Sequence, residues 1–158
     1  MTGDNELHSV DYPGVRVGYT ANGRGLYATR FFSTSSQVGT LVGDIIEDPD
    51  YEGSEYAIEL NSNQTLEPGA PFRFVNHSCA PNCALVIHEC EGEDGEQYFD
   101  SAILEVLRPV FPGDELTIDY AWCAEAAIPC YCGSDACREW VVCSSQLQRL
   151  HELFGHTT

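Results

Sequence analysis

Cys130-Tyr131-Cys132-Gly133-Ser134-Asp135-Ala136-Cys137 gathers three thiols into eight residues. Thiolates this close suit a metal ion, and zinc in a structural site takes four tetrahedral N/S ligands, so a fourth must arrive from elsewhere in the chain. Gly133 gives the backbone the freedom that a tight turn around a metal needs. A reactive or redox thiol cluster is the competing reading of these three residues alone. Upstream, Arg73-Phe74-Val75-Asn76-His77-Ser78-Cys79-Ala80-Pro81-Asn82 packs a guanidinium, amides, an imidazole and a further thiol into one short stretch. An amide both donates and accepts hydrogen bonds, which suits a zwitterionic ligand. Between the two lies Glu115-Leu116-Thr117-Ile118-Asp119-Tyr120, a short apolar run that delivers a carboxylate and a phenol.

The elements that position these groups are short strands bounded by turn residues. Val15–Tyr19 ends at an Asn22-Gly23 turn, and Gly25–Ala28 follows. Gly39–Glu47 reads as one strand and Tyr56–Leu60 as another. Ala84–His88 and Phe99–Leu107 flank the acidic, glycine-containing turn Glu91–Glu96, a hairpin pattern. Pro112-Gly113-Asp114 turns the chain into Leu116–Ile118. Helical periodicity is confined to the C-terminus: Ser144 or Ser145 as N-cap, Leu147, Leu150 and Phe154 on one face, and Gly155 as terminator. Periodicity therefore predicts a mostly β single domain.

At 158 residues the chain is large enough for one core, and 43% hydrophobic residues is a globular composition. No apolar run reaches the ~18–20 residues that span a bilayer, and the start is polar and acidic, so a soluble intracellular protein, nuclear or cytoplasmic, is expected. Seven basic residues, all arginine, face 25 acidic ones, for a net charge of −18. That balance argues against a phosphate-backbone partner, since nucleic-acid binding rests on Lys/Arg neutralisation. It favours a cationic partner steered by the negative field; solubility or a high-salt habitat explains the same composition. The remaining cysteines, Cys83, Cys90, Cys123 and Cys143, fall outside any ligand spacing and read as buried free thiols.

The three segments, in this order, resemble SET-domain protein-lysine methyltransferases with a post-SET zinc-binding tail, and the resemblance covers about residues 14–142. It implies a SET fold of several small β-sheets with a knot-like C-terminal crossing, few short helices and a C-terminal helix. The implied division is a SET domain over 14–122, a post-SET segment over 123–143 and a helix over 144–158, a minimal free-standing SET protein. In that family the fourth zinc ligand is the cysteine of the Asn-His-Ser-Cys stretch, here Cys79, beside Cys130, Cys132 and Cys137. Arg138, next to the cluster, could offset part of the thiolate charge. Asn22-Gly23-Arg24-Gly25-Leu26 resembles the Gly-x-Gly element that wraps S-adenosylmethionine. The resemblance thus implies cofactor contacts at Arg24, Gly25, Leu26, Arg73, Asn76, His77 and Tyr120, with His77 in a positional role. Tyr120 matches the family's catalytic tyrosine and Tyr56 a second pocket tyrosine, while Phe74 and Trp122 are candidates for an aromatic lysine channel or for plain packing.

Such a site needs no strong general base. A lysine ammonium near pKa 10.4 is deprotonated more readily when it is enclosed beside a positive sulfonium, by desolvation and by like-charge repulsion. The chain departs from the family pattern at two positions. Glu139 follows Arg138 where glycine is usual, which bears on the local turn. Ile118 stands where Phe or Tyr is usual; lacking a hydroxyl to hold a water, it implies capacity for more than one methyl. The implied substrate is a lysine-rich basic segment such as a histone tail. The alternatives are a catalytically inactive SET-fold peptide-binding module and a zinc-stabilised interaction domain.

Overall fold

The computed structural model describes residues 12–61 and 63–155. In chain order the strands are β1 (Val15–Thr20), β2 (Gly23–Ala28), β3 (Gln37–Leu41), β4 (Gly43–Glu47), β5 (Ile58–Glu59), β6 (Gln64–Pro68), β7 (Asn76–His77), β8 (Cys83–Glu91), β9 (Gln97–Val106), β10 (Glu115–Ile118), β11 (Ile128–Pro129) and β12 (Trp140–Val141). Among the described residues one α-helix, α1 (Leu147–Leu153), follows a 3₁₀ turn at Ser144–Gln146. The strands form small sheets ordered β1-β2-β10-β7, β3-β9-β8, β4-β6-β5 and β11-β12. This is the mostly β architecture that the turn spacing predicts.

Two differences from the sequence reading have local causes. The run Gly39–Glu47 is two strands in different sheets, with Val42 as the break: β3 pairs with β9, whereas β4 pairs with β6. Gly43 permits the switch, because a Cβ there would collide with the Glu67 carbonyl. Strand β6 was not expected from its polar sequence. Leu66, 1% exposed and opposite Ile45 and Ile58, and Pro68 are its buried residues.

The core gathers Leu26, Phe32, Leu66, Leu104 and Leu116, each at most 1% exposed. Leu26 and Leu116 are cross-strand partners between β2 and β10, and each contributes roughly 1.5–3 kcal/mol through burial. A second small cluster, Ala124, Val142 and Leu150, takes Leu147 and Trp140 at its edge and docks α1. Phe154 is 59% exposed yet stacks on Trp140, ring centroids 5.5 Å apart. The helical face is therefore the expected one, while its 3₁₀ entry lacks a side-chain cap; the expected segment to 158 ends outside the described residues.

What positions the site is the crossing at β7. It lies parallel to β10, Thr117 beside Asn76 and Ile118 beside His77, and the Ser78 amide donates to the Ile118 carbonyl at 2.9 Å. The Cys130–Arg138 segment then returns to the same stretch, its Arg138 amide 3.3 Å from Cys79 Sγ. Residues 76–79 are thus held from two sides by chain that comes much later in the sequence.

Candidate active site and metal centre

Two asparagines fix the crossing. Asn82, 6% exposed, accepts the Thr117 amide at 2.9 Å and donates to the Glu115 carbonyl at 2.8 Å. Asn76 Nδ2 donates to the Arg24 carbonyl at 2.7 Å and to Glu115 Oε2 at 3.0 Å. The Asn22–Leu26 stretch, β7 and β10 are thereby tied together. Gly25 is small for the same reason: a Cβ there would sit 2.7 Å from Glu115 Oε2 and 2.7 Å from Thr20 Cγ2. Its missing side chain makes room for a protein carboxylate, where the sequence suggested room for a ligand. Leu26 is fully buried in the core, so any contact it makes with a cofactor is through its backbone.

Two cavities meet at Tyr120. One, of about 630 Å³, is bounded by Asn22, Gly23, Arg24, Phe74, Asn76 and Ile128. The other, of about 1020 Å³, runs past Tyr51, Ile58, Leu60, Val75, Ile118 and Asp119. Glu55, Tyr56, Arg73, Tyr120 and Trp122 line both. The wall between them is aromatic: Tyr120 lies 5.4 Å from Trp122 and Tyr56 lies 6.0 Å from Phe74, centroid to centroid. The Tyr120 hydroxyl donates to the Val75 carbonyl at 2.7 Å. Burial, reinforced by the negative charge of Glu55, pushes its pKa up to about 12, so the phenol stays protonated. Burial and Glu55 raise Tyr56 as well. Ala121, at φ +50°, turns the chain so that Trp122 comes back over Tyr120.

The smaller cavity fits a zwitterionic cofactor. Arg73 Nε is buried with no hydrogen-bond partner among the described residues, while its guanidinium rests on Phe74 at 4.9 Å and Tyr56 at 5.5 Å. A buried, unmet N–H is costly, and a carboxylate entering this cavity would satisfy it.

Cys79, Cys130, Cys132 and Cys137 place their sulfurs within 4.8 Å of one another, and Cys79 Sγ lies 3.8 Å from Cys130 Sγ. Four ligands at about 2.3 Å in a tetrahedron require sulfurs roughly 3.8 Å apart, so the set fits a zinc-sized ion. Without a cation the four thiols cannot all ionise together. Burial raises Cys79 and Cys130; at Cys132 burial is outweighed by the Ser134 hydroxyl and nearby amides, which bring it down to about 6. Amides of Arg138 and Glu139 point at Cys79 Sγ and Cys137 Sγ, each at 3.3 Å. Arg138 therefore offsets thiolate charge through its backbone. Its guanidinium goes to Asp119, at 2.9 and 3.0 Å, and to the Val142 carbonyl at 3.1 Å.

Glu139 resolves the turn question. It adopts φ +71°, the left-handed conformation that glycine prefers, and Gly133 does the same at +76°. The turn survives with a side chain on it, because the Glu139 carbonyl receives the Cys130 amide and its own amide faces Cys137.

Among the expected site residues, Tyr56, Arg24, Arg73, Asn76 and Tyr120 surround the smaller cavity. The His77 ring is buried instead between Tyr120 and Cys79, 5% exposed. Phe74 faces the smaller cavity only, whereas Trp122 lines both. Sequence reasoning missed Glu55, the Glu115 side chain and the pairing of Asp119 with the Arg138 guanidinium, since acids are abundant in this chain and nothing in the spacing singles these out.

A SET domain family model matches residues 23–121. Human histone-lysine N-methyltransferase 2D is 32% identical over 135 residues, 75% of this chain and 2% of that protein. Histone-lysine N-methyltransferase trithorax of Drosophila virilis is 31% identical over 145 residues, 83% of this chain and 4% of that protein. The chain thus spans a small part of these relatives. The crystal structure of KRYPTONITE in complex with mCHG DNA and SAH superposes with a TM-score of 0.67 at 22% identity, covering 87% of this chain and 31% of that one. A second KRYPTONITE structure, with mCHH DNA, H3(1-15) peptide and SAH, gives 0.66. The match spans the Gly-x-Gly turn, the β7–β10 crossing and Tyr120, the parts that build the two cavities; the chain belongs to the SET domain family.

Proposed function

We propose that this chain carries S-adenosylmethionine-dependent protein-lysine N-methyltransferase activity toward a histone tail or another lysine-rich basic segment. The observation that carries the proposal is the shared wall: Tyr56, Arg73, Tyr120 and Trp122 face both cavities, so groups bound on either side meet beside the Tyr120 hydroxyl. When bound in the smaller cavity, S-adenosylmethionine supplies an electrophilic sulfonium methyl. Arg73 and Asn76, with the backbone of Arg24 and Gly25, would hold its amino-acid end. In the same reading Cys79, Cys130, Cys132 and Cys137 hold zinc, residues 14–122 form the catalytic unit, 123–143 the metal-binding segment, and α1 (Leu147–Leu153) belongs to the segment that closes it.

The chain's own groups suit the chemistry on the lysine side. Glu55, exposed at the junction, attracts the ammonium from solvent. The aromatic wall accommodates the alkyl stem and desolvates the nitrogen, which lowers the amine pKa. The Tyr120 hydroxyl keeps its proton and donates it in a hydrogen bond to the Val75 carbonyl, so the lone pairs of its oxygen are left as acceptors. An amine N–H donated there orients the nitrogen lone pair, and such alignment can contribute several kcal/mol. Ile118 lines the larger cavity and offers no hydroxyl to hold a water, which leaves room for further methyl groups. The −18 charge and absence of lysine fit a cationic peptide partner and oppose direct nucleic-acid binding.

The test is transfer of labelled methyl from S-adenosylmethionine to purified histones, together with thermal shift in S-adenosylhomocysteine. Transfer and a shift are expected. A shift without transfer would identify an inactive binding module, and neither would leave a zinc-stabilised interaction domain. Ligand at a hundredfold excess over its Kd stabilises by ~2.7 kcal/mol, well within measurement.

A further inference from the structure

Cys79 lies at the meeting point of two hydrogen-bonded routes, and both lead to the Asp119–Tyr120 step. On one route His77 Nε2 is 3.4 Å from Cys79 Sγ, while His77 Nδ1 accepts the Tyr120 amide at 3.0 Å. On the other, the Arg138 amide points at Cys79 Sγ from 3.3 Å and the Arg138 guanidinium holds Asp119. The His77 side chain is 5% exposed, so water does not serve either ring nitrogen. An Nδ1 that accepts a peptide N–H carries no proton, and a neutral ring then carries its proton on Nε2, aimed at the sulfur. That arrangement is satisfied when Cys79 is a metal-bound thiolate, which can only accept.

We infer that His77 is a positioning residue that couples metal occupancy at Cys79 to the placement of Tyr120, by donating from Nε2 to the Cys79 sulfur and accepting the Tyr120 amide at Nδ1. The proposal assigns His77 a task on the metal side of the crossing, where the resemblance placed it at the cofactor. It rests on the methyltransferase reading only for the consequence at Tyr120.

Two variants separate the two nitrogens. Asparagine puts its amide where Nδ1 lies and cannot reach Cys79; glutamine reaches the Nε2 position and leaves the Tyr120 amide unmet. His77→Asn should weaken zinc about 10–100-fold in chelator competition, as loss of an outer-shell partner typically does, while His77→Gln stays within about threefold of wild type. The order reverses at Tyr120: its amide exchanges with solvent at least about tenfold faster in His77→Gln than in His77→Asn, and turnover at saturating zinc falls about tenfold further in His77→Gln. Equal losses in both variants on all readouts would mean a merely structural ring and would overturn the proposal. Nitrogen-15 NMR of the zinc-loaded wild type decides independently of any variant: Nε2 protonated and Nδ1 bare is expected, and the opposite tautomer overturns it. A wild type that transfers no methyl to any substrate defeats the methyltransferase reading, whereas the zinc, exchange and tautomer results still decide the coupling.

Discussion

The two sides of Tyr120 are built in opposite ways. Toward the metal centre the polar groups are paired with one another: Asp119 with Arg138, the Tyr120 amide with His77, Cys79 with two N–H groups. Toward the cavities, Arg73 Nε is buried with no hydrogen-bond partner among the described residues, and Glu55 stands exposed at the junction. The first side is a finished frame and the second is set up to receive ligands. The contrast teaches that alignment at Tyr120 is set by the chain's own hydrogen bonds, which is what the proposed transfer asks of a site that works by positioning.

Breaking the frame should have the largest effect. Cys79→Ser removes a thiolate metal ligand; zinc affinity should fall by more than about 100-fold, and activity and cooperative melting should go with it, because metal-binding energy is folding energy in such sites. Chelator titration followed by circular dichroism checks this. Retained activity in zinc-free Cys79→Ser would erase the distinction between the two sides.

Tyr120→Phe is the complementary cut, on the ligand side. Turnover should drop about 10²–10³-fold, the usual scale for removing one aligned hydrogen-bonding group at a reacting centre. Zinc affinity should hold, and stability should change by only about 0.5–1.5 kcal/mol, the worth of the Val75 hydrogen bond. Arg73→Met comes next: S-adenosylhomocysteine should bind about tenfold or more weakly by calorimetry, since hydrogen bonds to charged groups are worth ~1.5–3 kcal/mol.

The pH dependence sharpens the same contrast. Tyr120 titrates at about 12 in the fold, up from an ordinary 10.0, because burial disfavours the phenolate. Raised above its unfolded value, it contributes stability in full below pH 10 and loses it as pH climbs toward 12. Alkaline melting curves of wild type and Tyr120→Phe should therefore differ in slope between those values, with the wild type steeper. The pH–rate profile should rise with lysine deprotonation and show no falling limb from Tyr120 below about pH 12.

The smallest effect is expected at Glu139. Its left-handed backbone strains any side chain, so Glu139→Gly should stabilise by ~1 kcal/mol, read from denaturant midpoints, with zinc affinity unchanged. Destabilisation would show that the side chain contributes something the hydrogen bonds do not display.

Much of this was legible in the sequence, and the rest was hidden for physical reasons. Turn residues exposed the strands, and three cysteines in eight residues exposed most of the metal set. Cys79 came from family resemblance alone, since no local spacing links it to residues about fifty positions away; the crossing that joins them is a tertiary event. Strand β6 escaped because its two buried residues, Leu66 and Pro68, sit among polar ones and proline is a poor strand former, and the break at Val42 escaped because Leu41, Val42, Ile45 and Ile46 read as one apolar run. Glu139 shows the reverse case: a missing glycine suggested a changed turn, yet the hydrogen bonds around the cysteines hold the turn in place. The ion pair between Arg138 and Asp119 was hidden too: the sequence puts Arg138 beside the thiolates and Asp119 beside Tyr120, and nothing in either segment links the two.

The most direct test of the central claim is mass spectrometry of a lysine-bearing histone-tail peptide incubated with S-adenosylmethionine and the zinc-loaded protein, wild type beside Tyr120→Phe. The account predicts methyl addition on lysine by the wild type, proceeding beyond one methyl because Ile118 holds no water, and a rate lower by about 10²–10³ in the variant. Equal rates in the two proteins, or no methylated lysine from a wild type that demonstrably binds the cofactor, would contradict it.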